Sequence, residues 1–208
     1  SPANATAFVF PLSSATQISN SSSTDGNSRV FKAVNGTEQI NLRVTGWSFD
    51  GSRVRDSFVG LFSAGLGVTS GDDNGGSSGQ HTVDNESRWD FLIFQFDRPV
   101  NLDQAKFTPF QITDTNTNKK KSGDTDATIA IGNGSIPWTQ QLALNETTIS
   151  SLNTIFSSGF LTSLGSTSTN TRTIYSGNAF SGLWLIGAAN PNPDKRFDSF
   201  KLSNLAVT

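Results

Sequence analysis

The chain has no cysteine and no methionine, and only one histidine in 208 residues. Without cysteine there is no disulfide, no thiol nucleophile and no thiolate metal site. With His81 alone, a zinc site built from several imidazoles is excluded, and so is any proton relay that needs two. Charge is scarce as well. Charged residues make up 15% of the chain and the net charge is −2. There is no basic stripe and no RNA-binding motif, so nucleic acid is not an expected partner. No apolar run approaches the roughly 18 residues that a membrane helix needs.

What remains is a chain rich in Ser, Thr, Asn and Gly, with 16 phenylalanines and four tryptophans. A polar but weakly charged composition of this kind is common in secreted β-proteins. A chain that starts at Ser1 and contains no Met is expected to have lost its initiator, most simply by signal-peptide cleavage. Asn-x-Ser/Thr sequons at Asn4, Asn20, Asn35, Asn85, Asn133 and Asn145 permit glycosylation in a suitable host.

Short apolar segments alternate with Gly/Asn/Asp/Ser clusters, the pattern of strands and turns. Strands are expected at Ala7–Leu12, Arg29–Val34, Ile40–Phe49, Phe58–Val68, Trp89–Phe96, Ala105–Ile112, Asp126–Ile131, Leu183–Ala188 and Phe197–Val207. Asn35-Gly36 suits a hairpin turn. Trp89–Phe96 is apolar on both faces, as in a central strand. One helix is expected, capped by Asn145, with Ile149, Leu152, Ile155 and Phe156 on one face and Gly159 as its stop. The fold class is therefore all-β, a jelly-roll-like β-sandwich with one short helix. Residues 1–12 form an N-terminal strand, and residues 13–208 a single sandwich domain. Lys119–Lys121 is expected in a solvated turn, and Ser163–Thr173 in an exposed loop.

Four segments carry a resemblance: Gly26–Ser48, Gly65–Leu102, Gly123–Gly134 and Leu183–Thr208. Their Gly-Leu-Gly-Val (65–68), His-x-x-Asp-Asn (81–85) and Asp-x-Phe-Lys-Leu (198–202) resemble, in the same order, bacterial secreted proteins of the PEP-CTERM type. In that family a β-rich ectodomain lies between a signal peptide and a C-terminal tail processed by an exosortase. The resemblance implies a bacterial surface or extracellular location and no catalytic residues. The present sequence ends at Thr208, where the family continues into its sorting tail. The tail has been cleaved, or left out of the sequence, or was never there.

Two acidic groups offer the oxygen ligands that calcium prefers. The first is the loop containing Asp72, Asp73, Asp84, Asn85 and Glu86. Its spacing is not that of an EF-hand, and turn capping by Asp and Asn is the competing reading. The second is Asp124, Asp126, Asp194 and Asp198. Asp198 is similar to the late Asp that helps hold a structural calcium in many jelly-roll carbohydrate-binding modules. Its competing reading is turn capping and pairing with Lys195, Arg196 or Lys201.

Catalysis finds little footing, since a Ser-His-Asp triad would depend on His81 and no G-x-S-x-G is present. Trp47, Trp89 and Trp184 lie within strand patterns and belong to the core. Trp138, after Ile136-Pro137, is the aromatic best placed to stack on a sugar. Finally, Ala7, Phe8, Val9, Phe10 and Leu12 sit on a short strand followed by a polar tether. The strand either completes its own sheet or is donated to a neighbour's. The expected function is a secreted, non-enzymatic structural or adhesive component of a bacterial surface, biofilm matrix or filament that self-associates by strand addition. The alternative is a calcium-dependent module that binds extracellular polysaccharide.

Overall fold

Trp89–Val100 is the strand that the sequence announces most strongly, and its eight residues from Trp89 to Phe96 are all buried. The computed structural model describes residues 6–13, 15–20, 27–71, 81–114, 116–133 and 136–208. In chain order its strands are β1 (Phe8–Pro11), β2 (Gln17–Asn20), β3 (Ser28–Asn35), β4 (Glu38–Phe49), β5 (Val54–Phe62), β6 (Gly65–Thr69), β7 (Val83–Asp84) and β8 (Trp89–Val100). They continue with β9 (Leu102–Pro109), β10 (Ile112–Asp114), β11 (Lys119–Lys121) and β12 (Ala127–Ile131). The helix α1 (Ile149–Ile155) follows, then β13 (Phe160–Ser163), β14 (Asn170–Thr173), β15 (Ser181–Ala188) and β16 (Ser199–Val207).

Fourteen strands form one sheet with a continuous path β13-β12-β15-β8-β4-β5-β6-β16-β9-β14. The sheet closes on itself only in part, as a curled, open half-barrel. The bend lies in β5. Val54–Ser57 pairs with β4, whereas Phe58–Phe62 pairs with β6. One strand thus serves both walls, and the fold is mostly β and consistent with a β-sandwich-like arrangement. The first wall holds β8 between β4 and β15, which explains why β8 is apolar on both faces. The second wall is organised by β16, which pairs with β9 along one edge and with β7, β6 and β1 along the other.

The core fills the space between the walls. Phe31, Leu42, Phe94 and Ile186 of the first wall and Phe107, Phe200 and Leu202 of the second have no exposed surface. Burial of each such side chain contributes about 1.5–3 kcal/mol. Trp47, Trp89 and Trp184 lie in this core as expected. The two-residue turn between β3 and β4 is Gly36-Thr37, one position on from the expected Asn35-Gly36 because Asn35 still pairs with Glu38, and Gly36 takes the positive φ of 62° that the tight hairpin requires.

The first strand is seated in the chain's own sheet. Phe8 pairs with Val207 and Pro11 with Asn204, and Leu12 donates its N–H to Ser203 at 2.9 Å. Phe8, Phe10 and Leu12 point inward and are buried; Ala7 and Val9 are exposed. The ring of Phe10 meets that of Phe96 edge to face at 5.8 Å, joining the two walls.

Three further local expectations are revised. The helix starts at Thr148 rather than Asn145. The reason is that residues 145–147 are committed to β5. Glu146 N–H donates to Val54 O, Val54 N–H donates to Thr147 O, and Asn145 Oδ1 accepts from Asp56 N–H. Glu146 also adopts a left-handed φ of 67°, which a helix cannot contain. The stretch Ser163–Thr173 contains a strand, β14, because the edge of β9 is open to pair with it. Lys119–Lys121 is exposed, but as one arm of a two-stranded hairpin with β10, and Lys121 Nζ lies 4.7 Å over the Phe197 ring.

Candidate metal centre

The three carboxylates of Asp124, Asp126 and Asp198 converge where β16 begins. The chain before β12 runs parallel to the start of β16 through an isolated bridge between Asp124 and Asp198. Asp124 N–H donates to Phe197 O, and Ser199 N–H donates to Asp124 O, both at 2.9 Å. Gly123 makes this approach feasible. A Cβ there would lie 2.1 Å from Phe110 O and 2.8 Å from Ser199 O. Asp124 and Asp126 are two residues apart in extended chain, which turns both toward the same side.

One oxygen from each of the three carboxylates lies within 4.8 Å of the others. Two oxygens on the same calcium ion, each about 2.3–2.6 Å from it, stand no more than about 5 Å apart. The cluster is therefore of the right size. Exposure is 5% for Asp124, 3% for Asp126 and 0% for Asp198.

Each carboxylate has one oxygen held by an N–H donor. Asp124 Oδ1 accepts from Thr125 N–H at 2.6 Å, and Asp126 Oδ1 from Gly165 N–H at 2.6 Å. Asp198 Oδ2 accepts from Asn85 Nδ2 at 2.7 Å. Asp198 Oδ1 is buried with no hydrogen-bond partner. A fully buried carboxylate oxygen left without a donor is costly, and a cation would satisfy it. Burial is also what raises the carboxyl of Asp198, to about 8, with Asp126, Asp124 and Asp194 adding to it against the Asn85 hydrogen bond. Asp124 is raised too, by burial first and then by Asp126 and Asp194, while the Thr125 N–H opposes the rise.

The nearest guanidinium, that of Arg172, does not bond these oxygens. Nε donates to Ser163 Oγ, Nη1 to Thr125 Oγ1 and Asn170 Oδ1, and Nη2 to Thr125 O and Ser163 O. All five of its N–H groups are thus spent on neutral acceptors. It also lies 3.8 Å over the Phe107 ring. Burial lowers it to about 10, against the attraction of Asp126, Asp124 and Asp198. Arg172 contributes charge at a distance and leaves the coordinating oxygens open. An all-oxygen, hard, irregular donor set of this kind fits a divalent cation such as calcium.

Of the other sequence candidates, Asn85 joins the site as a brace. Its Nδ2 also donates to Ala189 O at 2.9 Å, and its Oδ1 accepts from Asp198 N–H at 2.9 Å. Asp84 is buried beside the triad in the β7–β16 ladder, where it accepts from Thr82 Oγ1 and Glu86 N–H. This is the turn-capping role. Glu86 belongs to the same turn and is half-buried. Asp72 and Asp73 lie outside the described residues. Asp194 comes within hydrogen-bonding reach of Asp124. Among the described residues, the triad is the only group of three or more His, Cys, Asp or Glu side chains close enough to share an ion. His81 is engaged elsewhere, with Nδ1 2.6 Å from Thr69 Oγ1 and its ring stacked on Phe62.

Trp138 is half-buried at a shallow cleft that it shares with Phe96, Asp97, Arg98 and Ile136, and its carbonyl accepts from Arg43 Nε at 2.7 Å. Sequence reasoning missed Arg172. It stands in a Ser/Thr-rich stretch without apolar periodicity, where nothing local marks a buried cation.

Comparisons with protein-family models, with curated proteins and with solved structures give no match for this chain.

Proposed function

We propose that this chain is a secreted, non-catalytic β-sandwich of jelly-roll type, braced by one calcium ion at Asp124, Asp126 and Asp198. In this reading it serves as a structural or adhesive component of a bacterial surface, biofilm matrix or extracellular filament. The observation that carries it is the orphaned Asp198 Oδ1 in a buried triad. The ligands come from the start of β16 and the segment before β12, so an ion there ties two distant parts of a chain that has no disulfide. Extracellular calcium modules work with dissociation constants of about 10⁻⁴–10⁻³ M, well matched to such a site. The segments similar to PEP-CTERM ectodomains support the extracellular setting.

Self-association would use β1. Its alternating pattern, with Phe8, Phe10 and Leu12 inward and Ala7 and Val9 outward, specifies a register on β16 that the same strand of a second copy satisfies equally. The exchange costs no new interface chemistry.

The test is calorimetric melting with calcium and with chelator. At a hundredfold excess over the dissociation constant, calcium adds about 2.7 kcal/mol, a rise of roughly 5–10 °C for a domain of this size. Asp198→Asn and Asp126→Asn should abolish the shift. An unchanged melting point with chelator sinks the metal reading. For assembly, sedimentation at high concentration and deletion of residues 1–12 decide. A strictly monomeric intact protein, with assembly in cells indifferent to the deletion, removes the filament reading.

A second reading, a calcium-dependent carbohydrate-binding module, is favoured by one observation. An open cleft shares Asn85 and the 189–197 loop with the metal centre.

A further inference from the structure

We infer that this cleft is a binding site for an acidic, uronate-bearing saccharide; the inference rests on the carbohydrate-binding reading and on calcium occupancy of the triad. The cleft encloses about 350 Å³, within the range of small-ligand sites. Its lining contains three aromatic side chains (Phe49, Trp89 and Phe197), two cations (Arg88 and Lys195), three asparagines and no carboxylate. In a chain with 17 acidic and 15 basic residues, that local balance selects for an anion.

The lining residues divide into those that build the wall and those that remain for a ligand. Asn85 spends its amide on Asp198 and Ala189, and Asn192 spends its own on Lys195 N–H and Arg196 O. Asn190 makes no side-chain hydrogen bond among the described residues, and its backbone is pinned by Thr128. Lys195 is exposed and enters no ion pair among them. Phe49 is only partly buried, as is Phe197, one face of which lies under Lys121 Nζ at 4.7 Å. An aromatic face for the sugar ring, an amide for hydroxyls and the Lys195 ammonium for a carboxylate are the complementary groups for a uronate.

The cleft is physically joined to the triad. Asn85 touches both. Asp194, next to Lys195, reaches Asp124. Without calcium the negative charge of the carboxylates behind the wall repels an anionic ligand. With calcium that charge is reduced and Asp198, the partner of Asn85 in the cleft wall, is fixed, so saccharide and calcium bind with positive coupling.

The test is titration calorimetry of the full chain in calcium with a glucuronate-containing disaccharide. Its carboxyl-reduced neutral counterpart and a short single-stranded DNA serve as competing ligands. The expected result is saturable binding of the glucuronate disaccharide that weakens about tenfold or more in chelator and about tenfold in Lys195→Glu, one factor of ten being about 1.4 kcal/mol. Lys32→Glu, on the exposed face of β3, should bind as the parent does. Absence of binding while calcium still raises the melting point overturns the inference and leaves the metal reading standing. So does binding indifferent to Lys195→Glu, or equal affinity for the neutral sugar or the DNA. Loss of the calcium melting shift in the protein alone marks failure of the metal reading itself.

Discussion

Asn85 and Asp198, 113 residues apart, hold each other through two reciprocal hydrogen bonds. The Asn85 amide donates to the Asp198 carboxylate at 2.7 Å, and the Asp198 backbone N–H donates to the Asn85 amide oxygen at 2.9 Å. Replacement of Asn85 by alanine takes this partner from three groups, Asp198 Oδ2, Asp198 N–H and Ala189 O, at about 1–3 kcal/mol each. Asn85→Ala should therefore lower the melting point and weaken the calcium response together. Asn85 also lies in a glycosylation sequon, and an amide engaged in this way is not free to carry a glycan.

The pH dependence of the metal-free chain follows from Asp198. Unfolded, its carboxyl ionises near pH ~4; folded, it holds its proton up to about 8. Between these values the folded state binds more protons, so stability declines as pH rises through that window and is unaffected by this group below it. Melting curves in chelator should show the decline. Asp198→Asn should flatten it, and saturating calcium should displace the proton and reverse it.

Arg172 offers a prediction with two opposite readouts. Arg172→Gln removes charge-assisted hydrogen bonds to Thr125 O and Ser163 O and costs about 3 kcal/mol. It also removes a positive charge that competes with a cation for the triad. Thermal stability should fall while calcium affinity rises. A parallel fall in both would show that Arg172 positions the ligands.

A surface carboxylate responds to acid in the opposite sense from Asp198. Asp50 accepts from the N–H groups of Ser52 and Arg53 and pairs with Arg55 Nε at 2.8 Å, and these contacts hold its carboxyl well below the usual range. Its contribution is present above pH ~4 and is lost as the pH falls further. Asp50→Asn should melt below the parent at neutral pH, with the gap narrowing in acid.

Phe10→Ala empties a fully buried site at the meeting of the two walls. A loss of about 3–5 kcal/mol is expected. If β1 were exchanged between copies, the same substitution should also lower the proportion of oligomer in sedimentation.

Much of this was readable in the sequence, for identifiable reasons. The double-sided apolar run of Trp89–Phe96 marked a strand with neighbours on both sides, and β4 and β15 provide them. Ile40, Leu42 and Val44 alternate and are buried as the period of two requires. The triad was legible as acidic residues, but its assembly depends on a parallel bridge between residues 74 positions apart, which no local pattern encodes. The first acidic loop resembled the stronger ligand set because its residues lie within fifteen positions of one another. Yet Asp84 caps a turn, and among the described residues of that loop only Asn85 crosses to the site. The helix start was misjudged at Asn145 because a good cap residue was claimed by tertiary pairing with Asp56.

The pairing of β1 with β16 also determines how the molecule bears load. Phe8 lies opposite Val207, so the start of β1 and the end of β16 lie side by side in antiparallel strands. Tension applied between those ends opens the β1–β16 ladder like a zipper, one pair at a time, rather than shearing all its pairs at once. The first strand would part under a small force while the wall around β8 stayed closed, which sets a yielding element in series with a rigid one.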